Sequence, residues 1–382
     1  MKILFLDQSG KPGGAELCLI DIAKPYQSNC MVGLFADGDF KDLLIKNHIP
    51  VQILAETPIK VRKESSIIQG LSSLSQLIPL INKVANLAKK YDVIYANTQK
   101  ALVVGAIASF LSRRPLVYHL HDILSAEHFS KTNRQIAVNL ANRFASLVIA
   151  NSQATHKAFI EAGGRKDITG IVYNGFNSKA YITDEQEVTK IRQNLGLENK
   201  FVIGHFSRLA PWKGQHILIE ALSKSSPEVT VILVGDALFG EKEYVKQLHQ
   251  QVKDNGLENQ VKFLGFRSDI PLLMSACDLV AHTSTSPEPF GRVIVEAMLS
   301  GRPVVAARAG GAVELVEDGV NGFLVTPGNV EELARVINIC SENLQKTANM
   351  ANAARERAAQ RFDVENINQQ ISELLAKQIL LK

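Results

Sequence analysis

Two carboxylates, Glu288 and Glu296, stand eight residues apart in Ser286-Pro287-Glu288-Pro289-Phe290-Gly291-Arg292-Val293-Ile294-Val295-Glu296-Ala297-Met298. Two cations, Arg208 and Lys213, stand five apart in Arg208-Leu209-Ala210-Pro211-Trp212-Lys213-Gly214. A planar guanidinium beside a point-like ammonium suits a diphosphate: Arg208 can grip two oxygens and Lys213 can neutralise a third. The acids can line one crevice. Each pattern also has a plainer reading. Glu296 could pair with Arg292 four residues earlier on the same helix, worth about 0.2–0.5 kcal/mol. Arg208 and Lys213 could be two solvated cations.

The elements that must hold these residues follow from periodicity. Asp278–Thr283 reads as a strand that ends in the loop carrying Glu288; Gly291 frees the backbone, and 293–298 reads as a buried helix whose first turn carries Glu296. Phe201–Ser207 reads as a strand that feeds the Arg208–Gly214 loop and then a helix, Gln215–Ser223. Val229–Gly235, Val261–Gly265, Pro303–Ala307 and Gly322–Val325 complete a mostly parallel sheet.

The first half repeats that logic. Ile3–Leu6 is an apolar run ending at Asp7, followed by Gly10-Lys11-Pro12-Gly13-Gly14-Ala15-Glu16 and a helical pattern from Leu17 to Ala23. Strand, glycine loop and helix present amides and a helix N-terminus to an anion. The spacing is Gly-x-x-Gly-Gly, which is not the dinucleotide fingerprint. Further strands are expected at Met31–Ala36, Val93–Asn97, Leu116–Asp122, Leu147–Ser152 and Ile171–Phe176. Ligands bind beyond the carboxyl ends of such strands, and His121-Asp122 lies at one of those ends. His119 points the same way as His121; a metal pair completed by His128 lacks an acid or cysteine at fixed spacing, so no metal is assigned. Asp37-Gly38-Asp39 reads as a solvated turn rather than a cation site. Apolar residues at 67, 71, 74, 78, 81, 85 and 88, interrupted by Pro79, read as a core-facing helix or helix pair, with a surface helix touching membrane as the alternative.

At 382 residues, 46% apolar and 21% charged, the chain belongs with ordinary globular proteins and is expected to form two domains. The start of the chain does not read as a signal peptide, and no window reaches the ~20 apolar residues of a membrane span. Cys18, Cys30, Cys277 and Cys340 are scattered, which argues against disulfides and zinc and for a reduced, cytoplasmic setting. Residues 1–174 carry 20 Lys and Arg against 13 Asp and Glu, while the remainder is net acidic. The bland reading is an unevenly charged surface; the sharper one is a first half that meets an anionic acceptor or a membrane surface carrying acidic lipids, at its inner face. No basic-aromatic interleaving points to nucleic acid.

The Glu-seven-residues-Glu element resembles the signature of the family 4 retaining glycosyltransferases (glycosyl transferases group 1), and Arg-x4-Lys-Gly is similar to that family's diphosphate loop. Pro-Gly-Gly-Ala-Glu and His121-Asp122 resemble its weaker first-half motifs. The resemblance implies an α/β, GT-B fold: two Rossmann-like domains facing across a cleft, with a C-terminal helix crossing back to the first. The domains implied are 1–176 for the acceptor, a polar linker at 177–200 with a short helix around Glu185–Leu195, 201–361 for the nucleotide sugar, and a helix at 362–382. It implies a metal-independent, retaining transfer from a nucleotide diphosphate sugar, UDP- or GDP-linked, to a hydroxyl of a glycan or lipid-linked acceptor in polysaccharide biosynthesis, with no cofactor. Glu288, His121, Arg208 and Lys213 take the catalytic roles; Gly14, Arg208, Lys213, Phe290, Gly291, Val293 and Glu296 hold the donor. By the same resemblance Glu296 accepts from ribose hydroxyls, Glu288 holds donor-sugar hydroxyls and steadies charge developing on the ring, and domain closure assembles the site. Gly235-Asp236-Ala237-Leu238-Phe239-Gly240 departs from the family's shorter glycine loop and yields no donor assignment. The alternatives are a nucleotide-sugar epimerase of the same fold, a glycan phosphorylase, and a non-catalytic nucleotide-sugar-binding protein.

Overall fold

The computed structural model of the protein describes residues 1–55, 67–125, 129–237 and 240–380, with the backbone alone over 67–76. His128 lies outside the described residues, as do the side chains of the apolar stripe at 67, 71 and 74. The chain forms two compact units, Met1–Gly175 with Val364–Lys382, and Phe176–Asp363.

Strands buried on both faces need near-continuous Val/Ile/Leu runs, which is what the expected strand segments are made of. The first unit runs β1 (Ile3–Asp7), α1 (Gly14–Ala23), β2 (Cys30–Leu34), α2 (Asp39–Lys46), β3 (Val51–Ile53), α3 (Ile67–Ala88), β4 (Val93–Ala96), α4 (Gln99–Ser112), β5 (Leu116–Leu120), α5 (Lys131–Phe144), β6 (Ala145–Ala150), α6 (Gln153–Glu161) and β7 (Thr169–Ile171). The second runs α7 (Glu185–Asn194), β8 (Phe201–Phe206), α8 (Gln215–Leu222), β9 (Val229–Val234), α9 (Lys242–Asp254), β10 (Val261–Gly265), α10 (Ile270–Ser275), β11 (Leu279–His282), α11 (Arg292–Leu299), β12 (Val304–Ala307), α12 (Ala312–Leu315), β13 (Phe323–Val325), α13 (Val330–Glu342) and α14 (Leu344–Arg361). Helix starts carry side-chain caps where the sequence offers them, as at Thr98, Ser152 and Asn329.

Strand order is β3-β2-β1-β4-β5-β6-β7 in the first sheet and β10-β9-β8-β11-β12-β13 in the second. Each sheet is parallel and doubly wound, with its order reversing at β1/β4 and at β8/β11. Those switch points are where such sheets open a crevice to ligands. Of the site residues predicted from sequence, Gly14 follows β1, Arg208 and Lys213 follow β8, and Glu288 to Glu296 follow β11, while His121 follows β5, one strand beyond the switch point.

The chain returns to the first unit as α15 (Val364–Leu380). Ile367, Ile371 and Leu375, four residues apart, form one apolar stripe and are buried with Ile3, Phe5 and Tyr95. Burial of each contributes about 1.5–3 kcal/mol. Asn368 Nδ2 adds a bond to Asp21 O at 2.9 Å.

Some expectations need amending. Residues 177–200, read as a linker with a short helix around Glu185–Leu195, carry that helix as α7 after a 3₁₀ turn at Ser178–Tyr181, but both lie within the second unit. Arg192 is the reason: its guanidinium donates to Ala276 O at 2.9 Å, Asp278 Oδ2 at 3.1 Å, Leu197 O at 3.1 Å and Lys200 O at 2.7 Å. A polar stretch can be pinned by one five-donor side chain that no periodicity reveals. β3 was missed because three residues are too few to show alternation. β7 stops at Ile171 rather than Phe176. α3 passes through Pro79 unbroken, and Ile78, placed on the core stripe by spacing, is 58% exposed while Leu80 and Val84 are buried. Asp37 pairs with Lys41 at 3.2 Å, as a surface turn would. Among the described residues no helix is long and apolar enough to cross a membrane.

Candidate active site

In the second unit, β8 leads to Lys213 and β11 leads to Glu288, so the two sides of the switch point bring together residues 75 apart in sequence. Lys213 Nζ lies 2.6 Å from Glu288 Oε1, with side-chain exposures of 16% and 11%. His282 Nε2 reaches the same oxygen at 2.9 Å, and Ser284 Oγ donates to it as well. Burial alone would raise the Glu288 pKa, but the Lys213 charge and then His282, by charge and hydrogen bond, outweigh it and hold the carboxyl well below its ordinary range. Glu288 is therefore an anion, and its Oε1 accepts from both Lys213 and Ser284.

The turn that carries Lys213 is tightly stitched. Thr285 N–H donates to Trp212 O at 2.8 Å, and Thr283 Oγ1 donates to Gly214 O at 2.9 Å. His205 Nε2 lies 3.1 Å from Thr283 Oγ1 and 3.2 Å from Lys213 O; burial, then the neighbouring His282, push its pKa down to about 3, so it packs as a neutral ring. Trp212 separates the two cations, its ring centre 4.2 Å from Lys213 Nζ and 5.5 Å from the Arg208 guanidinium. Gly214 has φ +73, and a Cβ there would stand 2.0 Å from Thr283 O, so the turn can only be built with glycine.

Glu296 sits in the second turn of α11, since the helix begins at Arg292 rather than Val293. Its Oε1 is 3.4 Å from Arg292 Nε, so the pairing considered from spacing is present, at 12% and 13% exposure. Gly291 caps α11 with φ +94, and Val293 is half-buried in the first turn. Phe290 is 2% exposed: its ring stacks on Phe176 at 6.2 Å and meets Phe362 edge-on at 5.8 Å. Its ring is thus part of the packing of the second unit.

In the first unit, Asp7, Asn97 and His121 follow β1, β4 and β5. Asn97 Nδ2 donates to Asp7 Oδ2 at 2.7 Å, which turns Asn97 Oδ1 to the His121 Nε2 at 2.9 Å. The chain fixes the His121 ring with its proton on Nε2. The His119 ring lies 3.9 Å from that of His121; its Nδ1 is 2.7 Å from Tyr95 Oη, and burial, then His121, hold its pKa well below the ordinary value. Among the described residues Cys18 is the third ligand-type group near this pair, the three atoms lying within 4.8 Å of one another. The Cys18 thiol donates to Asn174 Oδ1 at 3.4 Å. Gly14 is exposed at the first position of α1, and Gly13 N–H donates to Glu16 Oε2 at 2.9 Å.

Sequence reasoning missed His282, Ser284, Trp212 and Asn97. Only the position of His282 and Asn97 at the ends of apolar runs could have pointed to them.

Burial raises Glu16 to about 8, with the Asp7 charge adding to it, and burial raises Asp7 to about 6 against its bonds from Asn97 and Ser9. A carboxyl raised on folding contributes stability in full below its unfolded pKa and loses it as pH rises through the folded one. Stability should therefore fall between about pH 5 and pH 8, and Glu16→Gln, which keeps an acceptor for Gly13 but cannot titrate, should flatten that fall. Urea midpoints of both proteins across this range decide it; parallel slopes would exclude Glu16 as the cause.

Residues 187–357 match the model of the family Glycosyl transferases group 1, and residues 12–179 match that of Glycosyltransferase Family 4. A crystal structure of Alr3699/HepE from Anabaena in complex with UDP-glucose is 67% identical, covers 99% of this chain and 100% of its own, and superposes with a TM-score of 0.93. A D-inositol 3-phosphate glycosyltransferase of Corynebacterium aurimucosum is 27% identical over 75% of this chain and 73% of its own length. Spore coat protein SA of Bacillus subtilis is 30% identical over 55% of this chain, which spans 59% of that protein. Two parallel Rossmann-like domains, an acid and lysine joined across a switch point, and these likenesses agree: the chain belongs to glycosyltransferase family 4 and is a glycosyltransferase of the GT-B fold.

Proposed function

We propose that the protein transfers glucose from UDP-glucose, with retention of anomeric configuration and without a metal, to a hydroxyl of a glycan or lipid-linked acceptor in polysaccharide biosynthesis. The observation that carries this is the Lys213–Glu288 pair at the β8/β11 switch point, beside Arg208 and the N-terminus of α11. The relative crystallised with UDP-glucose, at 67% identity over its whole length, supports the donor.

The leaving diphosphate must be stabilised as its bond to the anomeric carbon breaks. Lys213, Arg208 and the amides at Gly291–Val293 supply that charge from fixed positions. Glu296 accepts from the ribose hydroxyls. Glu288, with Oε1 held by Lys213 and Ser284, offers Oε2 to donor-sugar hydroxyls and stabilises positive charge on the ring. The acceptor hydroxyl enters on the face the phosphate leaves, and a phosphate oxygen takes its proton. Gly14 gives a side-chain-free approach to the donor, and His121, oriented by Asn97, contacts the sugar. The excess of cations in residues 1–174 supports peripheral contact with acidic lipids.

Thermal shifts with UDP- and GDP-sugars in parallel test the donor. UDP-glucose at about 100 times its Kd should stabilise by about 2.7 kcal/mol; a response to GDP-sugars alone would overturn the assignment. An inverted product anomer would refute retention, and an altered sugar released from donor alone would favour the epimerase. Activity should persist in excess chelator, whereas loss restored by magnesium would refute the metal-free reading.

A further inference from the structure

All strands of the first sheet run parallel, so the residues that lead into them gather on one edge, opposite the carboxyl ends that carry Asp7, Asn97 and His121. The adjacent strands β1, β4, β5, β6 and β7 are led in by Lys2, Lys89 with Lys90, Arg113 with Arg114, Arg143, and Arg165 with Lys166. All but the half-buried Arg114 are exposed. The acids in the same lead-ins are Asp92, whose Oδ2 accepts from the Lys2 backbone N–H at 2.7 Å, and Asp167, which is paired with Arg165. Arg114 Nη2 donates to Lys89 O at 2.9 Å and draws two of the lead-ins together. At about 4.8 Å per strand, five strands make a basic row roughly 20 Å wide.

Apolar side chains stand at that row. Ile107, Phe110 and Leu111 share one face at the end of α4, just before Arg113, and are 38%, 72% and 49% exposed. Cations alone would suit any polyanion, and a second copy would bring like charge to like charge. Exposed aromatic and aliphatic side chains beside a cationic row match one surface in particular, an acidic bilayer, whose headgroups pair with Lys and Arg while its interface takes up Phe and Leu.

We propose that the first unit docks on acidic lipid bilayers through this edge, with Phe110 and Leu111 entering the interface and the ligand-binding strand ends turned away from the membrane. This deepens the membrane contact proposed above and rests on it. It also separates docking from chemistry, because no residue of the row belongs to the donor or transfer site.

The test is sedimentation of the full chain with vesicles of phosphatidylcholine containing about one-third phosphatidylglycerol, beside pure phosphatidylcholine. Wild type should bind the acidic vesicles and release in high salt. Phe110→Ser/Leu111→Ser and Arg113→Glu/Arg114→Glu should each weaken binding at least about ten-fold, with unchanged melting temperature and unchanged turnover of a soluble acceptor. If wild type binds and both variants bind equally well, the edge is wrong although membrane contact stands. Absence of wild-type binding, or equal binding to both vesicles, overturns docking altogether while leaving the transferase reading intact. Binding of dextran sulfate but not vesicles, or a dimer abolished by Phe110→Ser, would equally overturn it.

Discussion

Lys213→Ala lowers kcat/KM by about 10²–10³-fold, the loss that follows removal of one fixed charge-stabilising group from a water-poor site. Two separate functions disappear with this ammonium. The diphosphate loses a cation that the short turn after β8 holds in place, and Glu288 loses the partner at 2.6 Å that does most to keep it ionised. From sequence alone the fold should be indifferent to this substitution. The buried pair changes that expectation, since removing one partner of such a pair costs about 3–5 kcal/mol when nothing else compensates. Ser284 still donates to Glu288 Oε1 and His282 Nε2 still lies 2.9 Å from it, which places the stability loss at the low end of that range or below. The pH dependence carries a second signature. A carboxyl depressed on folding contributes stability above its unfolded pKa and loses it as pH falls through the folded one. Without Lys213 the Glu288 pKa rises, so acid-side loss of stability should begin at a higher pH than in wild type. Single-turnover kinetics and urea melts across the acid range measure both; unimpaired turnover would sink the diphosphate role.

Gly310→Ala should be nearly as damaging, through geometry instead of charge. Gly310 has φ +59, and an added Cβ would stand 2.2 Å from Glu288 O and 2.7 Å from Glu288 N. These are backbone atoms with nowhere cheap to go, because Gly311 N–H already holds Glu288 O at 2.8 Å. The left-handed conformation itself costs a non-glycine residue about 1–2 kcal/mol. Displacing the Glu288 peptide by an ångström moves the carboxylate away from Lys213 and should cost about 10² in kcat. Gly256→Ala is the control: φ is +65 but nothing lies within 4 Å of the new Cβ. It should lose similar conformational stability and no activity. Equal kcat in the two variants would show that the loop at Gly310 does not position Glu288.

The parts legible in sequence were those encoded locally. Apolar runs gave the strands, and the loops after β8 and β11 could be picked out because Arg208, Lys213, Glu288 and Glu296 each lie within a short motif. Lys213 and Glu288 were assigned to different halves of a ligand, whereas they touch each other; that contact depends on β8 and β11 being neighbours, a property of strand order. Phe290 stands beside Glu288 in sequence, but that its ring is buried against Phe176 and Phe362 is set by the fold alone. Asn97 has no motif because its role is to connect Asp7 and His121, which come from other strands. Arg192 was invisible in a polar stretch for the same reason: all of its acceptors are carbonyls and a carboxylate defined by folding.

The return of α15 has a consequence for how the protein is made. Residues 1–175 leave the ribosome about 190 residues before Ile367, Ile371 and Leu375, which at about 5–20 residues per second is a wait of roughly 10–40 s. Throughout that interval the nascent first unit exposes the apolar surface around Ile3, Phe5 and Tyr95 that α15 later covers, while the second unit has all of its own elements in hand. The order of synthesis is thus the reverse of the order of completion: the earlier-made half is the last to close its core.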